Sequence, residues 1–431
     1  MPELHNNKKN IKARALGGTC LALLMTGIGL ETAMAQSPAH ASPSAASVER
    51  EFNPRPALAA ETLYGLYPTV EVGLRHHDNV FRGPAPEERS DTVLAIRPAL
   101  LYRTNLGRHE AQLRYGVNVE RYEEFSSEDT TDHGGSGVVN LDITERLGID
   151  VFAEYQSGHE PRGTSASRLV PGDELATGPD EFELTRYGGE LTYGRRESMF
   201  QLSVGAIGSD WQFTNNDQEG RDRDEDRLYA TLYYNFGPRT ALFLRGTFDD
   251  IDFRSPASDL DNEETGYFLG ARWEASAATA GEIGVGRVEK DFDSPTRGKD
   301  DTTSYFGKII WQPKPFSTVR IHASKTFEET TELDSDFIDS RVVGASWDHA
   351  LTDRWAFFVY ANETRDQFSD GRRDRLHDYG IGMDYAFRSW LTFGASYGMF
   401  ERDSNLAGAE FDDRIFSLYL RLNFFVGRDE F

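Results

Sequence analysis

The pentapeptide at residues 394–398 reads Gly-Ala-Ser-Tyr-Gly and matches the G-x-S-x-G pattern, in which a serine hydroxyl attacks an acyl group. That chemistry requires the serine to lie on a sharp turn between a strand and a helix. In this chain apolar side chains occupy alternate positions from Leu391 to Tyr397, which predicts an extended strand instead of the turn. Ser396 is therefore predicted to be a polar residue on one strand face, and the sequence links no histidine to it.

Other catalytic and metal-binding patterns are also missing from the sequence. It contains no histidine–carboxylate cluster with metal-ligand spacing, no phosphate-binding loop and no dinucleotide fingerprint. The segment 291–293 has two aspartates, but it lacks the third ligand and the glycine of a calcium-binding loop. The only cysteine, Cys20, lies in a segment expected to be removed on export, which excludes thiol chemistry in the mature chain. The sequence therefore predicts a protein that is not an enzyme and has no cofactor or metal site.

Polar and charged residues instead recur at every second position along the chain. Near the C-terminus, apolar residues occupy alternate positions from Phe416 to Phe424, and polar residues fill the positions between them. A period of two places alternate side chains on opposite faces of a strand. The pattern recurs in 18 segments between Thr69 and Phe425. One apolar face and one polar, often charged, face are typical of a β-barrel wall between lipid and a wet lumen.

The connections between these segments alternate in length, and eight short ones contain the Gly, Asn, Asp and Pro residues that tight hairpins need. The nine long connections are predicted at 77–91, 125–134, 157–181, 211–226, 249–264, 291–301, 327–337, 363–375 and 401–411. This arrangement places the N-terminus and the C-terminus of the barrel on the short-turn side, as in outer-membrane barrels with an even strand number. We therefore predict an all-β fold, a single antiparallel transmembrane β-barrel of about 18 strands over residues 69–431.

Tryptophan positions give an independent indication of this topology. Five of the six tryptophans lie beside predicted short turns, namely Trp273, Trp311, Trp347, Trp355 and Trp390. Only Trp211 lies at the end of a long loop. Aromatic residues collect where a barrel meets the lipid headgroups, so this distribution predicts one half of an aromatic girdle.

The N-terminus indicates the compartment. Four basic residues precede an apolar stretch at 15–30, and Ala33-Met34-Ala35 provides a cleavage site, so residues 1–35 are predicted to be a signal peptide. Residues 36–68 are rich in Ala, Pro, Ser and Glu and are predicted to be a flexible periplasmic leader. These features predict an integral protein in the outer membrane of a Gram-negative bacterium, with lipopolysaccharide and the barrel-assembly machinery as partners.

The net charge restricts the class of partner. Loss of four basic and two acidic residues with the signal peptide takes the net charge from −25 to −27. So acidic a chain is not expected to bind nucleic acid. Many of the acidic residues fall in the predicted long loops, where they form either a solvated rim or sites for divalent cations that bridge to lipopolysaccharide phosphates.

The polar face of the predicted strands contains the candidate pore-lining residues. They are Arg75, Arg97, Arg114, Arg186, Arg245, Arg272, Arg320, Arg421, Tyr229 and Tyr233. Carboxylates on the same face nearly balance the arginines. Two interpretations remain open: ion pairs that hold the wall together, or a polar track for sugars with tyrosines as platforms. The third long loop, 157–181, is either an inward-folded constriction or an external loop.

The segment after the first strand contains a family signature. It reads His-Asp-Asn-Val-Phe-Arg at 77–82, and Arg-Pro-Ala-Leu follows in the second strand at 97–100. With these motifs, residues 67–431 resemble the β-barrel porins that are encoded with exopolysaccharide and capsule biosynthesis genes in Gram-negative bacteria. The resemblance implies a role in polysaccharide secretion and no catalytic residues. Its signature residues here are Asp78, Asn79, Phe81 and Arg82.

The C-terminus departs from the usual barrel-assembly signal, which ends on the terminal phenylalanine of a strand. Here Val-Gly-Arg-Asp-Glu separates Phe425 from Phe431, so either residue is a candidate for that signal. The leading functional hypothesis is a conduit or accessory barrel for exopolysaccharide export, with periplasmic export components as partners. The alternatives are a general or solute-specific diffusion porin and a non-conducting structural or adhesive barrel.

Overall fold

The computed structural model describes residues 64–164, 178–276, 278–330 and 335–427. The predicted signal peptide, the leader up to residue 63, part of the third long loop and Phe431 lie outside the described residues. Within the described ranges, no helix is long and apolar enough to cross a bilayer.

Eighteen long antiparallel strands, each of 12 to 16 residues, form one closed sheet. The long strands are β1 (Gly65–His77), β2 (Asp91–Leu106), β3 (His109–Tyr122), β4 (Thr130–Asp142), β5 (Leu147–His159), β6 (Glu181–Tyr193), β7 (Phe200–Phe213), β8 (Arg223–Gly237), β9 (Thr240–Phe253), β10 (Asn262–Ser276), β11 (Thr279–Phe292), β12 (Lys299–Lys314), β13 (Ser317–Glu328), β14 (Ile338–Ala350), β15 (Trp355–Phe368), β16 (Arg373–Arg388), β17 (Leu391–Ser404) and β18 (Phe411–Asn423). Two single 3₁₀ turns lie at Ser126–Glu128 and Glu219–Arg221.

The barrel closes by antiparallel pairing of its first and last long strands. The register runs from Thr69 opposite Asn423 to His77 opposite Ile415. A two-residue strand, β19 (Val426–Gly427), continues the pairing with β1 beyond Phe425. The predicted 18-strand antiparallel barrel is thus confirmed, and β1 begins at Gly65 rather than at Thr69.

The predicted alternation of connection length is present, but the long loops are shorter than predicted. The short turns contain as few as two residues, as at 107–108, where Gly107 adopts a φ of +77°. Of the predicted loop 249–264, only 254–261 separates two strands, and of 363–375 only 369–372 does so. The strands continue past the apolar band with charged residues on both faces. Because the outward face of these strand ends has charged and polar residues in place of apolar ones, the sequence pattern did not reveal them.

The outward face of the barrel is apolar, as predicted. Phe416 and Leu418 on β18 are exposed on it, and so are Trp311, Trp347 and Trp355 beside the short turns. The half-girdle of tryptophans at the short-turn end is therefore present. Trp211 differs from them, because its side chain is buried inside the barrel below the guanidinium of Arg223.

Large aromatic rings on the inner wall lie flat over glycines of a neighbouring strand. Tyr229 covers Gly205, and a Cβ added to that glycine would lie 2.3 Å from the tyrosine ring. Phe243 covers Gly270 on the next strand in the same way. Phe243 of β9 also stacks on Phe306 of β12, with ring centroids 6.1 Å apart, although two strands separate them. The wall therefore curves tightly between β9 and β12, and aromatic side chains fill the inside of that bend.

Candidate functional site

A ladder of alternating charges crosses the inner wall where the barrel closes. Glu71 on β1 accepts hydrogen bonds from Arg97 on β2, at 3.0 Å, and from Arg421 on β18, at 2.9 Å. Glu120 on β3 pairs with Arg75 and, at 3.4 Å, with Arg97. All five side chains are largely buried. Hydrogen bonds to charged groups are stronger than neutral ones, so the ladder links four strands across the seam.

The other predicted pore-lining arginines also face inward, but the structure does not bring them together into one track. Arg245 bonds to buried Glu282 at 2.8 Å. Arg272 bonds to Gln201 at 2.9 Å. Two arginines pair with a carboxylate on a neighbouring strand: Arg320 with Asp348 at 2.6 Å, and Arg186 with Glu154 at 3.9 Å. Arg114 faces inward from β3 and is half-buried. Most of these charges are thus neutralised by neighbours on the wall.

The two predicted tyrosine platforms are covered. Tyr229 is 8 % exposed, because its ring lies against Gly205 and packs with Phe152 and Ile207. Tyr233 is 3 % exposed, and the guanidinium of Arg272 lies 3.9 Å from its ring centroid. Both rings therefore pack the wall rather than present a face to the lumen.

The outer half of the lumen is densely packed. Lys290 on β11 has no exposed surface, and its ammonium bonds to Asn262 at 2.8 Å and to the carboxylates of Glu264 and Glu329. Inward-facing residues near the long-loop end are buried on strands all round the barrel, for example His77, Glu120, Trp211, Asp366, Arg402 and Asp413. A wide aqueous pore would leave such side chains accessible, so the part of the outer mouth that the described residues form is packed rather than open.

Toward the short turns, several inward-facing residues are accessible. Asp142 on β4 is exposed, and the side chain of Arg320 on β13 is 49 % exposed. Glu110 and Gln112 on β3 are half-buried. Short turns of outer-membrane barrels face the periplasm. Part of the lumen is thus a polar vestibule that opens on the periplasmic side.

The first signature residues, Asp78 and Asn79, connect the β1–β2 loop to β18. The Asp78 carboxylate accepts a 2.6 Å hydrogen bond from the backbone N–H of Arg414. The Asn79 side chain donates to the carbonyls of Gly83, at 2.8 Å, and Asp412, at 2.9 Å. Buried Asn79 therefore satisfies the loop backbone and holds it against the last strand.

The other signature residues, Phe81 and Arg82, extend these contacts across the mouth. The Phe81 ring lies 4.8 Å from that of Phe125, after β3. The Arg82 guanidinium lies 4.1 Å from the Phe400 ring centroid, and its Nη1 donates to the carbonyl of Arg162 at 2.5 Å. Arg82 adopts a φ of +53°, which is uncommon for a residue with a side chain and persists where surrounding contacts fix it.

The start of the third long loop completes the closure. Arg162 makes two hydrogen bonds to buried Glu128, at 2.6 and 2.8 Å. Arg402 of β17 is almost fully buried and donates to the carbonyl of Gly163 at 3.3 Å. A segment that leaves β5 thus reaches β17 across the mouth. We call Arg82, Glu128, Arg162 and Arg402 the outer latch. Two alternatives were open for the third long loop, an inward-folded constriction or an external loop; residues 160–164 favour the inward one, and 165–177 lie outside the described residues.

The sequence signature identified Arg82, whereas Glu128, Arg402 and Asp413 were missed. Asp413 has no exposed surface and accepts hydrogen bonds from His77 and from the Asn79 backbone. Partners separated by more than 330 residues leave no local pattern, so only the folded barrel shows the pairing. Ser396 lies within β17, as predicted, and faces inward. Among the described residues, no three His, Cys, Asp or Glu side chains are grouped to hold a metal ion.

Comparisons with known proteins place the chain among porins. A family model described as putative beta-barrel porin 2 matches residues 63–424. No curated protein sequence matches the chain.

Several solved outer-membrane barrels resemble the structure at low sequence identity. Pseudomonas aeruginosa OpdK with vanillate has a TM-score of 0.44 and 10 % identity, over 83 % of this chain and 99 % of OpdK. Pseudomonas aeruginosa OccK2 (OpdF) has a TM-score of 0.45 and 12 % identity, over 84 % and 98 %. A BenF-like porin from Pseudomonas fluorescens Pf-5 has a TM-score of 0.44 and 10 % identity, over 84 % and 100 %.

Proposed function

The chain belongs to the putative beta-barrel porin 2 family, and from that premise we propose that it is a gated porin whose outer latch controls passage of small polar solutes. It is an integral protein of the Gram-negative outer membrane and, as a porin, a channel rather than an enzyme. The observation behind the proposal is the asymmetry of the lumen, which is polar and accessible near the periplasm and packed at the outer mouth.

The charges of the lumen favour neutral or weakly charged solutes. Arginines and carboxylates of the inner wall are paired, as Glu71 is with Arg97 and Arg421. A wall whose charges are compensated offers little net field to concentrate an ion. It still presents many hydrogen-bond donors and acceptors, which suit the hydroxyls of small sugars and similar solutes.

Opening requires the latch to release. Residues 160–164 contact the β1–β2 loop through Arg82 and β17 through Arg402, and they are fixed to the 3₁₀ turn after β3 by the Arg162–Glu128 pair. These partners all lie in outer loops or at the outer ends of strands. Their separation would uncover the lumen without breaking hydrogen bonds between the long strands.

Single-channel conductance in a planar bilayer tests this proposal. The double variant Glu128→Gln, Arg162→Gln removes both charges of the bidentate pair and should raise the open probability several-fold. The matched control is Arg195→Gln, which breaks a 3.0 Å pair with Glu145 at a short turn and should leave gating unchanged. Equal open probability in all three proteins would refute the latch, and no conductance in any of them would favour the structural or adhesive barrel.

Exopolysaccharide export is the second candidate. The vestibule opens toward the periplasm, the side from which an exported polymer enters, and the closed outer mouth would then prevent leakage between export events. Deletion of the gene should in that case reduce surface polysaccharide and leave small-solute uptake unchanged. Normal surface polymer in the deletion strain would remove this candidate and leave the diffusion porin.

A further inference from the structure

Three arginines lie side by side on the outward face of neighbouring strands. Arg341 on β14 is directly opposite Arg365 on β15, which is directly opposite Arg375 on β16. Their side chains are about half exposed, at 46, 56 and 47 %. We call these three residues the arginine row.

The row lies just above the apolar band of the barrel wall. Val343, two residues from Arg341, is 50 % exposed on the same face, and Tyr379, four residues from Arg375, is 39 % exposed. A strand rises about 3.3 Å per residue, so the row lies about 7 to 13 Å along the strands from the last apolar side chains. The strand ends at this level face the outside of the cell, because the short turns face the periplasm. The row is therefore level with the lipid headgroups of the outer leaflet.

The local carboxylates compensate the row only in part. Glu363 bonds to both Arg365 and Arg375, and the ring of His377 lies 3.8 Å from it on the same face. Asp339 lies 3.6 Å from Arg341. Like charges directly opposite each other destabilise a strand pair. On the flanking strands, Lys325 of β13 lies directly opposite Arg341 and pairs with Asp339 at 2.9 Å, while Asp403 and Glu401 of β17 lie opposite Arg375 and His377. With the exposed Arg373, five positive side chains thus face four carboxylates.

This positive surface contrasts with the outward face of other strands at the same level. On β8 and β9 the outward residues above the apolar band are Asp224, Asp226, Asp250 and Asp252. An anionic headgroup would be repelled there and attracted to β14–β16. The difference gives the barrel one preferred side for a negatively charged lipid.

We propose that the arginine row binds a phosphate monoester of an outer-leaflet lipid, namely the phosphorylated glucosamine of lipopolysaccharide. The planar guanidinium forms two parallel hydrogen bonds to phosphate oxygens, so adjacent arginines surround one phosphate with matched geometry. A bound phosphate removes the repulsion along the row. The acyl chains of the same lipid would lie against the apolar band below it.

The test is binding of purified lipid A to the full-length barrel in detergent, measured by native mass spectrometry. The triple variant Arg341→Gln, Arg365→Gln, Arg375→Gln should bind lipid A at least tenfold more weakly. Arg287→Gln is the matched control, because Arg287 is outward and 69 % exposed on β11 and pairs with Asp301. Its lipid binding should be unchanged, and equal losses in the two variants would overturn the site.

Binding of three further ligands distinguishes a lipid phosphate monoester from free phosphate and from a phosphodiester. Dephosphorylated lipid A should lose the binding that the triple variant loses, and inorganic phosphate should compete only at millimolar concentration. Equal binding of the dephosphorylated lipid would refute recognition of the phosphate. Equal binding of phosphatidylglycerol, a phosphodiester, would refute the monoester.

A variant of opposite sign keeps the proposal testable if the triple variant fails to fold. Glu363→Gln removes the carboxylate that competes for Arg365 and Arg375, so it should bind lipid A several-fold more tightly. Weaker binding by this variant would show that Glu363 organises the row in a way that phosphate does not replace, and the proposal would be wrong.

Discussion

Adding a single methyl group at Gly205 tests whether the rings on the inner wall need glycines beneath them. In Gly205→Ala the new Cβ would lie 2.3 Å from Cζ and 2.4 Å from Oη of Tyr229, well inside van der Waals contact. Tyr229 on β8 is directly opposite Gly205 on β7. Its ring packs against Phe152 and Ile207, so it has little room to move.

The magnitude follows from two opposing effects. Overpacking of a filled interior costs about 1–3 kcal/mol. Replacement of glycine by alanine also stabilises by about 0.4–1 kcal/mol, because it restricts the unfolded chain. The net loss should be about 0–2.6 kcal/mol, and the difference from a glycine-to-alanine change without overpacking should be about 1–3 kcal/mol. Gly246→Ala on β9 is the matched control, because no heavy atom lies within 4 Å of its added Cβ. That change should be neutral or stabilising.

Urea unfolding in detergent micelles, followed by tryptophan fluorescence, measures the difference. A double variant with Tyr229→Leu should recover part of the Gly205→Ala loss, because the smaller side chain leaves space for the methyl group. In a double-mutant cycle, the interaction free energy between Gly205→Ala and Tyr229→Leu should then exceed about 0.5 kcal/mol in the free energy of unfolding. If Gly205→Ala is as stable as Gly246→Ala, the contact between ring and glycine does not constrain the wall, and the reasoning is refuted.

Three more predictions test the topology, the lipid face and the charge ladder. In intact cells an impermeant thiol reagent should label a cysteine at Ser126 and not at Thr240, and the reverse would invert the orientation. Leu418→Arg should cost about 2–4 kcal/mol, because Leu418 faces lipid, whereas Ser396→Arg faces the polar lumen and should cost much less. Glu71→Gln should cost about 1.5–3 kcal/mol in urea unfolding, because it removes the charge between Arg97 and Arg421; no change would mean that the ladder does not hold the seam.

The sequence was sufficient to predict the strands and their faces because a period of two is a local property. Leu418 and Ser417 show this, since neighbours in the chain face opposite sides wherever the strand pairs. Strand ends were not predictable, because residues such as Asp250 and Asp252 place charge on the outward face, where the apolar band would otherwise mark the strand. The aromatic packing inside the bend between β9 and β12 was missed for a different reason. Phe243 occupies an inward position where the alternating pattern predicts a polar residue, and the pattern does not distinguish a packed phenylalanine from a residue that lines water.

The candidate site was predicted only in part. The signature marked the β1–β2 loop, whereas the loop length left residues 157–181 open between an inward constriction and an external loop. Their partners Glu128, Arg402 and Asp413 are ordinary charged residues in the sequence, and only the closed barrel places them against Arg162, Gly163 and Arg82, respectively. The tyrosines predicted as sugar platforms face inward but are covered, Tyr229 by Phe152 and Ile207 and Tyr233 by Arg272, all of which lie on other strands.

The contacts of Asp78 and Asn79 with β18 also have a consequence for biogenesis. Arg414 is 336 residues away from Asp78, and Asp412 is 333 residues away from Asn79. Contacts of such separation form late, because the intervening chain must be ordered first. The seal at the outer mouth therefore cannot form on a partly folded chain, and it appears when the last strand pairs with the first. Completion of the wall and closure of the mouth are thus one event, so the membrane gains a finished barrel that is already shut.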